Sequence, residues 1–255
     1  MRPRATAPAA LLGVLLLGAA AVHAAAPSPV GPAPGGAPPA GTVTFLAGEA
    51  SRLQGDQRRP LALGSAVFQG DVIETARRTR LELKLSDASV LRLGPVSRVE
   101  LDAAAFGASA DDRKVSAKLR VGNVWANVTR SLGGEARFEV KTENAVAGVR
   151  GTTFCVDASK DKSVVVRVYA GTVAVAAGPI PRPGHAGETA PGGPPERRQV
   201  AGPQEVTRQQ WERIVTNMMQ VRVAADGTPS EPEQFTLAKA DEWETWNRQR
   251  DAAAK

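Results

Sequence analysis

Between residues 41 and 177 apolar and polar side chains alternate. Leu81, Leu83 and Leu85 are separated by Glu82 and Lys84; Leu91 and Leu93 flank Arg92; Val99 and Leu101 flank Glu100. A period of two sends successive side chains to opposite faces, so each run predicts a strand with one dry and one wet face. GTVTFL, AVFQGDVIET, KVSAKLRVGNVWANVT, ARFEVKT, GTTFCVD and VVVRVYAGTVAVAA also read as strand. Turn-formers punctuate the series at Gly70-Asp71, Asp87-Ala88-Ser89, Gly122-Asn123 and Ala170-Gly171. No helical period fits between the strands, which removes a βαβ plan. The expected body is all-β, a compact β-sandwich or short β-coil.

The period changes near the C-terminus. In VTRQQWERIVTNMMQV (206–221) the apolar residues Trp211, Ile214, Val215, Met218 and Met219 fall at helical offsets and line one face. Thr207 and Gln210 form a capping box, with Val206 and Trp211 at the positions of a hydrophobic staple. A second helix is predicted over 237–250, capped by Thr236, with Leu237, Ala240, Trp243 and Trp246 roughly on one face. A C-terminal pair of packed helices is therefore expected beside the β body. RRQVAGP (197–203) predicts one short strand before them, and ADGTPSEPE a loop between them.

Composition divides the chain further. Residues 1–24 read as a signal peptide: MRPR supplies the basic region, LLGVLLLGAAAV the apolar core and Val22-His23-Ala24 the small-residue cleavage pattern. Cleavage after Ala24 is expected, and membrane association follows only if the segment stays uncleaved. Residues 25–40 form a Pro/Gly/Ala-rich tether and 178–196 a Pro/Gly-rich loop or linker. The β domain spans 41–177, and 197–255 holds the short strand and two helices. With one cysteine the fold has no internal disulfide and must hold by packing, even in an oxidising compartment.

The formal charge of +6 includes Arg2 and Arg4 of the export segment. The remaining cations are interspersed with acids, which excludes a nucleic-acid footprint. The usual catalytic groups are poorly placed. His23 lies in the export segment and His185 in the linker, so Cys155 has no histidine to activate it. Cys155 shares a strand face with Thr153 and Asp157, opposite Phe154 and Val156, and is read as a structural thiol. No His/Cys cluster is present, and Asp111-Asp112 lacks the spacing of a calcium loop. Gly148 and Gly151 in AGVRGTTF lack the spacing and following lysine of a phosphate loop. They suit a corner instead, with Arg150 pinning carbonyls or a carboxylate; the alternative is an arginine that faces a ligand. A carboxylate-only glycosidase finds no support in the spacing. Trp125, Trp211, Trp243 and Trp246 read first as core packing, with a role as interaction residues as the alternative. Asn127-Val128-Thr129 matches a glycosylation acceptor but sits in a strand.

Five blocks resemble the FecR domain family: GSAVFQGDVIET (64–75), LKLSDASVLRLGPVSRVEL (83–101), LRVGNVW (119–125), FEVKTENAVAGVRGTTFCV (138–156) and VYAGTV (168–173). The resemblance covers about 41–177. It marks Gly70, Asp71, Asp87, Ser89, Gly122, Gly148, Arg150, Gly151, Thr152, Phe154 and Gly171 as structural signature positions. Ala88 stands where the family usually has glycine. The resemblance implies an extracytoplasmic β domain without catalysis, cofactor or metal. The family's best-known members span a membrane and relay an outer-membrane transporter's signal to a cytoplasmic sigma factor. Only ten residues precede the apolar stretch at residue 11, so the expectation is an exported FecR-like protein without a sigma-binding segment. It would be periplasmic or secreted in a Gram-negative-type bacterium and serve as a protein-interaction or signalling module of the envelope. Its partner would be an envelope protein; the alternative is an envelope structural or glycan-binding protein that binds peptidoglycan or polysaccharide through the tryptophans.

Overall fold

The computed structural model describes residues 38–106, 113–129, 137–149, 151–178, 212–237 and 241–254. In chain order its elements are β1 (Gly41–Ala47), β2 (Ala50–Gln54), β3 (Gln57–Pro60), β4 (Ala66–Val67), β5 (Val72–Thr75), β6 (Arg80–Leu85), β7 (Val90–Leu93), β8 (Arg98–Phe106), β9 (Arg113–Asn127), β10 (Arg137–Lys141), β11 (Ala145–Val149), β12 (Thr153–Ala158), β13 (Val164–Ala170), β14 (Thr172–Ala177), β15 (Glu212–Thr216), β16 (Met219–Val223), β17 (Glu233–Gln234) and the helix α1 (Glu242–Ala253).

The strands form two layers joined through β9. Layer A runs β4-β1-β6-β7-β9-β12-β13-β16-β17. Layer B runs β3-β2-β5-β8-β9-β10-β11-β14-β15. The β9–β10 pair is parallel and the others are antiparallel. Neither layer closes into a barrel. The inward faces share one aliphatic core. Leu81 opposes Leu93 and Leu83 opposes Leu91, and Ile73, Val99, Leu119, Phe154, Val166 and Val173 fill the space between layers. Each such side chain contributes about 1.5–3 kcal/mol by leaving water, so this core is the main source of stability.

Glycines sit where the chain changes layer. β9 pairs with β8 up to Val121 and with β12 from Gly122 onward, so it passes from layer B to layer A in mid-strand. Gly122 has φ +99, and a Cβ there would lie 2.3 Å from Ser97 Oγ and 2.5 Å from Ser97 Cα. Only glycine permits both the left-handed backbone and that approach. Gly122-Asn123 is thus a bend inside a continuous strand, not the predicted turn between strands. β11 lies in layer B and β12 in layer A, and Gly151, at φ +65, stands shortly before β12. Gly171, at φ +95, makes the return from β13 to β14.

The expected pair of packed C-terminal helices is not what forms. Residues 212–223 are strands β15 and β16, joined by a turn at Asn217-Met218, and α1 is the single C-terminal helix among the described residues. The apolar stripe at 211–219 permits a helix, but tertiary pairing overrides it. β14 and β13 each offer an unpaired edge; β15 completes one in layer B and β16 the other in layer A. Val215, Val221 and Val223 then enter the core at 0–1% exposure, while Ile214 faces outward. The new turn locks onto the Gly171 corner: Gly171 N donates to Asn217 Oδ1 at 2.6 Å and Met218 N to Val168 O at 2.8 Å. The predicted strand at 197–203 lies outside the described residues.

Candidate interaction site

The alternation that sends Leu81, Leu83, Leu91, Leu93, Phe154 and Val156 inward turns a different row outward on layer A. Register partners trace it across the sheet: Phe45, Glu82, Arg92, Trp125, Cys155, Arg167, Gln220 and Glu233, each opposite the next. The sequence reading put Glu82 and Arg92 on a wet face. Both are buried, because α1 packs across them.

α1 begins at Glu242, not residue 237, because Asp241 rather than Thr236 caps it. Asp241 Oδ1 accepts Glu244 N at 2.7 Å. Glu242 and Glu244 in the first turn and Arg250 in the last suit the helix dipole. Trp243, Trp246, Asn247, Arg250 and Asp251 recur at helical spacing and form the contact face. Leu237 precedes the helix, and Ala240 lies outside the described residues.

Four ionised groups meet beneath this face. Glu82 Oε2 accepts Arg92 Nε and Arg250 Nε, each at 2.7 Å; Glu82 Oε1 accepts Arg250 Nη2 at 2.9 Å and Thr44 Oγ1 at 2.8 Å. Arg92 Nη1 donates to Asp251 Oδ1 at 2.7 Å and to the Asn247 carbonyl at 3.3 Å. Trp125 Nε1 donates to the other Asp251 oxygen at 2.9 Å. Burial pushes the Glu82 carboxyl upward, but the hydrogen bonds from Arg250, Arg92 and Thr44 outweigh it and hold the group at about 2. The guanidinium planes also cover aromatic rings: Arg250 lies 4.6 Å from the Phe45 centroid, and Arg92 lies 5.8 Å from that of Trp246.

Aromatic packing continues along the row. Trp243 stacks on Trp246 at 5.3 Å, Trp246 meets Phe45 at 5.3 Å, and Trp125 meets Tyr169 at 4.3 Å. Gly94 gives Trp243 its room, since a Cβ there would stand 3.3 Å from the indole. Cys155 is buried in one cluster with Trp125 and Trp243, with Tyr169 and Trp246 packed against it. Burial and then the Asp157 carboxylate push its thiol well above the ordinary range, so it is a poor nucleophile.

Of the predicted interaction residues, Trp125, Trp243 and Trp246 are brought together here, the first two buried and the third half-buried. Trp211 lies outside the described residues. The described signature residues make contacts within the β body. Asp71 Oδ2 accepts Phe68 N at 2.8 Å and Arg52 Nη1 at 3.4 Å after the Gly70 turn. Asp87 accepts Ser89 N and Ser89 Oγ, each at 2.9 Å, and Ser89 Oγ in turn accepts Thr129 N at 3.1 Å. Thr152 Oγ1 donates to Thr172 O at 3.1 Å, Gly148 sits inside β11, and Phe154 packs edge-on to Phe138. Arg150 lies outside the described residues. The sequence reading missed Glu82, Arg92, Arg250 and Asp251. The available signal was a pair of opposite charges at facing positions of two leucine-flanked strands.

No group of three or more metal-ligating side chains occurs among the described residues. The buried ionic cluster described here lies between layer A and α1 of one two-layer β body. Residues 71–174 match the family model described as FecR protein. A comparison with curated proteins found no match. Two solved structures from Parabacteroides distasonis ATCC 8503, each described as a "putative anti-sigma factor", are similar at 18% identity. The one at 1.65 Å gives a TM-score of 0.47, covering 68% of this chain and 63% of its own. The one at 2.50 Å gives 0.44, with 64% and 59% covered, so this chain matches less than two thirds of either protein.

Proposed function

We propose that this protein is a non-catalytic protein-interaction and signalling module of the bacterial envelope. The FecR region at 71–174 carries the reading. The aliphatic two-layer scaffold and the polar docking face of layer A support it physically. Residues 1–24 export the chain and are removed after Ala24; residues 25–40 tether the β body, and residues 178–196 act as a linker within it. The partner is an envelope protein. The geometry disfavours the glycan alternative, because Trp125 and Trp243 are buried and offer sugar rings no open aromatic face.

Two experiments in intact cells test the reading. N-terminal sequencing of the mature protein should begin at Ala25. A photo-crosslinking residue at exposed Leu63, Val96 or Ile214 should give a discrete protein adduct in the periplasmic fraction. Adducts only to cell-wall polysaccharide, or folded protein confined to the cytosol, would overturn the proposal.

A further inference from the structure

The chain stabilises its two layers with Leu, Val, Ile and Phe, yet beneath α1 it buries ions. Replacing buried ion pairs with apolar side chains often leaves stability unchanged or improves it, whereas the pairs enforce register and partner choice. A helix whose only task was to cover layer A would be expected to use leucine here. The contact also leaves polar atoms unmatched: Trp243 Nε1 and Asn247 Oδ1 are buried without a hydrogen-bond partner, an arrangement that destabilises the docked state. Finally, α1 is 12 residues long, a length that is marginal as an isolated helix in water. Its helicity therefore depends on docking.

From these observations we infer that the outer face of layer A is a receptor for amphipathic helices, and that α1 is its exchangeable resident. The inference rests on the interaction-module reading and names its surface and the kind of partner. That partner is a helix of another envelope protein bearing two aromatic residues one turn apart, then an adjacent cation and anion one turn further on. Charge complementarity fixes the order. Glu82 presents both carboxylate oxygens to the cation, as it now does to Arg250. Arg92 Nη1 and Trp125 Nε1 present two N–H donors to the anion, as they now do to Asp251. Phe45 and Gly94 shape the places of the two aromatic rings. The register row continues beyond Arg167, whose charge already acts on Glu244 of α1, through Gln220 and Glu233, so a longer partner helix would find further polar contacts beyond those α1 uses.

The test uses a fluorescein-labelled peptide of residues 241–254 and the full chain. In the variant Arg250→Glu/Asp251→Arg the resident helix carries the wrong charge order, and the peptide should bind with a saturable rise in anisotropy. Wild-type chain should bind it at least tenfold more weakly, because α1 competes at millimolar effective concentration. A peptide with the same two residues reversed should not bind the variant. A folded variant that ignores the wild-type peptide overturns the inference. If that variant does not fold, Cys155 in the wild-type chain decides, since it is buried in one cluster with Trp243 of α1. Maleimide should label Cys155 at least tenfold faster than global unfolding allows, and excess peptide should slow the labelling. Labelling only at the global unfolding rate would show that α1 does not leave. A concentration-dependent dimer that exchanges α1 between copies would replace the proposed partner with a second copy of this chain. All of these use purified components, so their failure leaves the in-cell crosslinking test of the broader reading standing.

Discussion

The Glu82 carboxylate offers the sharpest measurement. Glu82→Gln keeps size and one acceptor oxygen but removes the charge that two guanidiniums share. Two independent routes give its magnitude. Removing one partner of a buried ion pair costs about 3–5 kcal/mol, and a surviving amide oxygen favours the lower end. The fall of the carboxyl from 4.5 to about 2 on folding corresponds to roughly 3.5 kcal/mol at about 1.4 kcal/mol per pH unit. Both routes point to about 3 kcal/mol at pH 7. The pH dependence follows from the sign. A carboxylate whose folded value lies below its unfolded value contributes fully above 4.5, and the contribution is lost as pH falls toward 2. In the variant nothing titrates at this position, and other carboxylates cancel in the difference. Urea unfolding of both proteins, followed by tryptophan fluorescence at pH 7 and pH 3, should therefore show a gap of about 3 kcal/mol that shrinks by roughly half or more. A gap below about 1 kcal/mol at pH 7, or one equal at both pH values, would refute the account.

Four further outcomes follow from the geometry. Gly122→Ala places a methyl against Ser97 backbone and forces a left-handed alanine; it should cost about 3 kcal/mol or more, read as a lowered urea midpoint or loss of folded protein. Ala88 already sits at φ +67, so Ala88→Gly should stabilise by up to about 1 kcal/mol and raise Tm by about 2–4 °C in calorimetry. Phe154→Ala empties a fully buried position beside Phe138 and should cost about 3–5 kcal/mol by chemical denaturation. In a thiol assay at pH 8, Cys155 should show no burst in the native protein and full reaction in denaturant, given its burial and raised thiol.

Strands with a clean period of two were legible in the sequence because each side chain's direction is local information. Leu81, Leu83, Leu91, Leu93, Phe154 and Val156 face inward as alternation demands. Residues 212–223 were not legible, because their pattern satisfies two periods and the decision rests on partners far away in the chain. Ile214, Val215 and Met219 fit a helical stripe equally well, but the open edges of β13 and β14 made strands the better outcome. Gly122 failed for a related reason. A glycine followed by asparagine reads as a turn locally, and nothing nearby reveals that Ser97 will press against it. At the candidate site the tryptophans were legible as a group, whereas the ions were not. Glu82 and Arg92 look like ordinary solvent-facing residues until a helix about 150 residues downstream arrives to cover them.

That distance explains why the two faces of layer A use different chemistry. Inside, any well-sized aliphatic side chain lowers the free energy, and the opposite layer is always present to receive it. Outside, the covering element can be absent, and a leucine row there would become a sticky patch whenever α1 lifted. Glu82 and Arg92 avoid this, because each can be solvated when exposed and paired with the other when covered. They also discriminate, since a helix without a cation and an anion in the right order would leave one of them buried and unmatched. The same two residues thus keep the bare face soluble and make the covered face selective, a combination that an apolar row on layer A does not provide.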